Sequence, residues 1–372
     1  MRPMTRPVPM ALDDSLLDDP ARLADADGAG LLRSAAMAGA QVRSTVETAE
    51  ELQLGERMDV GRPRSLVIVS RPGVGHAAAR LLESLVAPAS PVPVVLSDVV
   101  PSWIGALDAV FAHTDDPFDR ELAQSLERAA RYGAGVVLSA PPDGPVASAV
   151  AGRGLVLAPR VPVPPELTLP RALAAGLLTA NAAGLSSTDL GALADRLDHE
   201  AERCHPGHES FVNPAKSLAL RWADHIPLLW GLDAVAVGVA HHAAYALAAH
   251  AAVVADVAHY RQALSRPALR RAATEVSAED TIFADPEDRA GESAPVRVTL
   301  LAVTTGGEAD GSRHRAGELL PSADVVAPAD EIVADDAGRA AVLALRCELA
   351  ALYLGLAAGT IGGAGRVAPA TA

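Results

Sequence analysis

From residue 65 onward, short apolar runs alternate with longer stretches whose apolar residues recur at helical spacing. Leu66–Val69, Val92–Leu96, Leu107–Ala112, Val136–Ser139 and Leu155–Leu157 are apolar runs that predict strands. Ala77–Leu85, Arg120–Tyr132 and Ala147–Gly152 lie between them and predict helices. Runs apolar on both faces and separated by helices predict a parallel sheet covered on each side. The second half repeats this grammar. Helix Asn213–His225 precedes strand Ile226–Trp230, and a long alanine-rich helical stretch covers Ala234–Ser265. Strands Val296–Thr304 and Asp324–Ala327 follow, then helix Ala337–Thr360, which reads as a core or dimer-facing element. The expected fold class is α/β, with two parallel-sheet units flanked by helices and an N-terminal helical segment.

Proline and glycine set the boundaries. Residues 12–56 have helical spacing, broken at Gly28 and Gly30, and the Gly61–Arg64 turn introduces the first strand. Pro159–Pro170 leads into helix Arg171–Asn181, and helix Ser187–Glu202 crosses to the second half until His205-Pro206-Gly207 stops it. These signals divide the chain into a tail with helices (1–60), a first domain (61–182), a linker helix (183–206), a second domain (207–360) and a tail (361–372). The start, MRPMTRPVPMALDD, has prolines where a signal sequence needs an apolar run and reads as a disordered lead-in. Glu279–Glu292 reads as an exposed acidic insertion and the Gly/Ala/Pro tail as mobile.

Composition narrows the function classes. The 372 residues are 50% hydrophobic but only 3% aromatic, so the cores must pack through alanine and aliphatic side chains. A net charge of −15 argues against nucleic acid and against an anionic membrane as partners. A phosphate site would have to be built locally against that field. The most apolar region, Ile226–Ala258, carries Asp233, Asp256 and several histidines, which disfavours a membrane span. Cys204 and Cys347 lie far apart, which fits a reducing cytoplasm and no disulfide framework.

Several constellations could carry chemistry. Gly73-Val74-Gly75-His76 follows a strand and opens a helix, with Asp98 at the next strand's end. This is a loose dinucleotide fingerprint, but Pro72 removes a backbone N–H from the loop, and a tight turn needing small residues is the favoured reading. The polar knot His113-Thr114-Asp115-Asp116 ends a strand where open α/β sheets place ligand loops. Its aspartates also suit capping of helix Arg120–Tyr132. Arg171 stands in the first turn of a helix, where a cation is mildly unfavourable. His241, His242, His250 and His259 would spread along one helix too far to share a metal ion, and read as polar helix-surface residues. Cys204, His205 and His208 lack a clear fourth ligand, so no metal is expected.

The segment PVPVVLSDVVPSWIGALDAVFAHTDD, from Pro91 to Asp116, resembles the bifunctional phosphoglucose/phosphomannose isomerase family, whose pattern is PVVVVRDYxLPxWVxxxTLVIAxSYSGNTEE. Pro170–Gly176 (PRALAAG) resembles the family's PRxAxG. Asn213–Lys216 with Ile226–Gly231 resembles NxAKxLA…GKIPVIYG. More narrowly, the chain looks like the TobH-type branch of these double sugar isomerase (SIS) domain proteins. The resemblance implies two SIS-type domains, a sugar phosphate of the glucose, mannose or fructose 6-phosphate class as ligand, aldose–ketose isomerisation, no cofactor and a homodimer. It places ligand binding on Ser70, Arg71, Gly73, Gly75, Thr114 and Ser139, and enediolate stabilisation on Arg171. Laid without gaps, Asp115 and Asp116 fall on the glycine and asparagine of the phosphate loop. The proton-transferring glutamate falls near Ala248, and His259 lies within a few residues of the ring-opening histidine's place. Asp256 or a histidine would have to replace the base. A non-catalytic sugar-phosphate-binding or regulatory protein is the alternative.

Overall fold

The computed structural model describes residues 12–58, 61–279 and 295–362. The lead-in before residue 12, residues 280–294 of the acidic insertion and the tail from 363 lie outside the described residues. The apolar runs of the first half become β1 (Ser65–Val69), β2 (Val94–Ser97), β3 (Asp108–His113), β4 (Gly135–Ser139) and β5 (Leu155–Leu157). They form one parallel sheet in the order β2-β1-β3-β4-β5, with Val67 opposite both Val95 and Val110. Every residue of β1 and β3 is buried. Leu66, Ile68 and Phe111 face one core, and Val67, Val69 and Val110 face another under helix Arg120–Arg131. Two-sided burial explains the continuous apolar runs.

In the second half β6 (Ile226–Gly231), β7 (Asp256–His259), β8 (Val296–Leu301) and β9 (Asp324–Val326) form a second parallel sheet in the order β7-β6-β8-β9. The two sheets share a core that joins Ile68 and Phe111 to Leu229 and Leu301. Helix Val74–Val86 meets helix Ala234–Ala246 there. A Cβ on Gly238 would stand 2.9 Å from Ser84 Oγ and 3.0 Å from Leu81 Cα, so glycine sets how close these helices come. Helix Asp336–Ala357 is long and apolar enough to cross a membrane, yet it is buried from Ala337 to Ala357. It is a core element.

Three expectations are corrected. The stretch Ala234–Ser265 is not one helix. It is helical to Ala246, makes a π turn over Leu247–Ala251, and ends with Ala252 at φ +55° before β7. No glycine or proline marks this break, and pairing of Trp230 with Ala258 draws the segment into the sheet. His242 and His250 are not surface residues: both are buried and flank the buried Glu348 of the C-terminal helix, each 2.9 Å from one of its carboxylate oxygens. The helix Arg120–Arg131 is capped by Asp119, which accepts from Leu122 N, and not by Asp115 or Asp116. Helix Gly307–Leu319 was not anticipated, because its GEADGSRHRAG start is too polar to show an apolar face.

Candidate functional site

The loop after β1 carries Ser70, Arg71, Pro72 and Gly73. Gly73 has φ +78° and opens helix Val74–Val86, a conformation that favours glycine. Gly75 lies inside that helix, where a Cβ would come within 2.9 Å of His113 O, so its role is close packing against the β3 loop. Ser70 Oγ is 2.9 Å from His76 Nδ1, and Arg80 Nε donates to His76 Nε2 at 2.9 Å. An imidazole that accepts at Nε2 is neutral and donates from Nδ1 to Ser70. Burial, with Arg80 nearby, lowers the His76 pKa in the same direction. Arg71 is nearly buried and fully engaged. It donates to Asp119 (2.7 Å), to the Asp98 carbonyl (2.7 Å) and to Glu121 (3.3 Å).

The knot after β3 is a closed network around Asp115. Thr168 Oγ1 donates to Asp115 Oδ2 at 2.6 Å, His113 Nε2 lies 3.2 Å from the same oxygen, and Arg171 Nη2 donates to Oδ1. Ser139 Oγ is 3.1 Å from His113 Nδ1, so Ser139 orients this imidazole from below. Burial opposes the charge on Asp115. The hydrogen bonds and charges of His113, Arg171 and Thr168 outweigh it and hold the carboxyl at about 2. Burial lowers the pKa of His113. Arg171 is 5% exposed, and its Nε and Nη1 have no partner among the described residues. Thr114 Oγ1 accepts from Asp116 N, closing the turn.

An open cleft of about 640 Å³ lies between the β1 loop and helix Ala234–Ala246. Ser70, Gly73 and His76 line one wall, and His241 and Tyr245 the other. The His76 and His241 rings meet edge to face, 6.2 Å apart. Burial, then Arg80 and His76, push His241 down to about 4, so it is neutral near pH 7. Burial and the carboxylates Glu166, Glu348 and Asp115 push the Tyr245 phenol up to about 12. Asp98 and Glu121 stand at the cleft's edge beside Arg71.

The second sheet also has an aspartate engaged at a strand end. At the end of β6, Asp233 accepts from Ala236 N (2.8 Å), Val303 N (2.9 Å) and Thr304 N (3.1 Å). Its carboxylate sits on a helix N-terminus and a neighbouring loop, an arrangement that suits an anion.

The structure brings Ser70, Arg71 and Gly73 to the cleft, and Thr114, Ser139 and Arg171 to the adjacent knot. It does not join Asp256 or His259 to either. Asp256 makes a two-point ion pair with Arg266 at 2.8 and 2.7 Å and accepts from Trp230 Nε1. His259 ends β7 and caps the helix Tyr260–Leu264 through Arg261 N. His76, Tyr245, Asp233 and Glu348 were not singled out for these roles. His76 is part of the quoted GVGH loop. Tyr245 lies four residues from His241, a helical spacing that places both on one face. Among the described residues no group of three or more histidine, cysteine or carboxylate side chains is arranged to hold a metal ion.

No protein-family model and no curated protein sequence matches the chain. Solved structures do match in shape. The C-terminal domain of glucosamine-fructose-6-phosphate aminotransferase from Francisella tularensis superposes with a TM-score of 0.62 over 88% of this chain and 95% of that one, at 9% identity. A Silicibacter pomeroyi protein assigned as a phosphosugar isomerase gives 0.61 over 89% and 98%, at 15% identity. Tagatose-6-phosphate ketose/aldose isomerase from Escherichia coli gives 0.53 over 88% and 91%, at 11% identity. At these identities the likeness is one of fold: this chain, with its mixed α/β architecture and two parallel sheets, shares the fold of these structures.

Proposed function

We propose that this chain is a carbohydrate-binding, regulatory protein on a sugar isomerase scaffold, without aldose–ketose isomerase turnover. In this reading residues 61–182 and 207–360 are two SIS-type halves, and the ligand, of the hexose or hexose phosphate class, enters the cleft between Ser70 and Tyr245. The observation that carries it is the Asp115–Arg171 ion pair. The arginine that the family resemblance assigns to enediolate stabilisation is already neutralised, so it has little charge left to offer a developing oxyanion. Base chemistry supports the same reading. The resemblance puts the proton-transferring glutamate near Ala248, where the chain has no glutamate between Glu209 and Glu275, and His241, at about 4, is far below the value that suits proton abstraction near neutrality. Asp256, the substitute carboxylate, is committed to Arg266.

A coupled assay with fructose, glucose and mannose 6-phosphates tests the absence of turnover. Rates in the ordinary range of about 1–10³ per second would overturn it. A thermal-shift panel of hexoses, hexose phosphates, nucleotide sugars and NAD(P) tests the ligand class. A specific ligand at about 100 times its dissociation constant stabilises by roughly 2.7 kcal/mol. Stabilisation by NAD(P) alone would favour the dinucleotide reading of the Gly73–His76 loop.

A further inference from the structure

In each half a carboxylate of the chain itself stands on the donors that a bound anion would use. Asp115 takes the Arg171 guanidinium and the Thr168 hydroxyl. Asp233 takes three backbone N–H groups at the end of β6. We propose that these two aspartates are built-in replacements for a ligand phosphate, and that the cleft takes an unphosphorylated polyhydroxy ligand. The inference rests on the carbohydrate-binding reading and narrows its ligand.

Charge decides the choice. A phosphate dianion approaching Arg171 must first displace an ionised carboxylate or sit beside it. Like charges at such separations repel strongly away from bulk water. Arg71, the cation lining the cleft, is held by Asp119 and Glu121. An uncharged ligand meets no such conflict. The cleft walls offer hydroxyl-matching groups: Ser70, two neutral imidazoles and the Tyr245 phenol, whose ring is also a face for sugar C–H groups.

Isothermal titration of the intact protein with fructose, glucose and mannose, each against its 6-phosphate, tests this. The expected result is that at least one hexose binds tenfold or more tighter than its 6-phosphate. A 6-phosphate that binds as tightly as its hexose, or tighter, overturns the proposal while leaving carbohydrate binding standing. Binding of neither class overturns carbohydrate binding itself, and the proposal with it. Inorganic phosphate is an independent probe of the aspartates. The unaltered protein should not bind it at millimolar concentration, and Asp115→Asn should gain at least tenfold in phosphate affinity. If Asp115→Asn does not fold, as judged by circular dichroism, Asp233→Gly is titrated in its place, since glycine is tolerated at a helix N-cap and leaves the three N–H groups free for phosphate. No gain in the folded variant overturns the replacement role.

Discussion

The loop after β3 and the loop after β1 lie side by side and treat their polar groups in opposite ways. After β3, Asp115, His113, Thr168 and Arg171 pair with one another in a nearly buried network. After β1, Ser70, His76 and the facing His241 and Tyr245 border open space. The knot supplies order and the cleft supplies access. A mutation in the knot should therefore cost stability whatever it does to anion binding, and one in the cleft should change binding with little cost in stability.

The largest expected effect breaks the knot. Arg171→Ala leaves Asp115 buried without its cation, a change that typically costs about 3–5 kcal/mol. Chemical denaturation measures it, and the double variant Arg171→Ala/Asp115→Ala should recover part of the loss. A loss below about 1 kcal/mol would mean that the ion pair is not holding the loop. The next effect concerns pH. The folded-state pKa of Asp115 is about 2, below its ordinary 3.8, so its stabilising contribution is complete above roughly pH 5 and is lost as pH falls through 2. A shift of nearly two units is worth on the order of 2–3 kcal/mol. Glu348, also held at about 2 between His242 and His250, shares this window. Asp115→Asn should flatten the acid limb of the stability curve without abolishing it. An unchanged limb would sink the assignment.

Gly238→Val probes the ground between the two regions. A side chain there meets Ser84 and Leu81, and overpacking of this kind costs about 1–3 kcal/mol. Because the same helix carries His241 and Tyr245, the wedge should also weaken ligand binding in the cleft. The smallest effect is at the cleft edge. Glu121→Ala removes an exposed partner of Arg71 and should change stability by about 0.2–1 kcal/mol. A larger loss would mean that the cleft edge is as structural as the knot.

The strands of both sheets were legible wherever burial on two faces forced a continuous apolar run, as in Leu66–Val69 and Ala109–Ala112. β7 was not. Its four residues are all partly buried at a sheet edge, and the flanking alanines and valines continue a helical-looking pattern. The candidate site was legible in part. Gly73 and Ser70 sit at a strand end, which spacing reveals. The pairing of Asp115 with Arg171 joins residues 56 positions apart, and nothing local in either segment announces the other.

By itself the sequence determined the alternation of strand and helix, the turns at Gly73 and Pro206, and the acidic balance, because these follow from local sterics, periodicity and charge count. Tertiary structure decided which charges meet. Whether Asp115 caps a helix, repels a phosphate or holds Arg171, and whether His242 faces water or Glu348, depends on which surfaces the two sheets bring together. Electrostatic energies vary steeply with separation and burial, and neither quantity exists until the chain has folded.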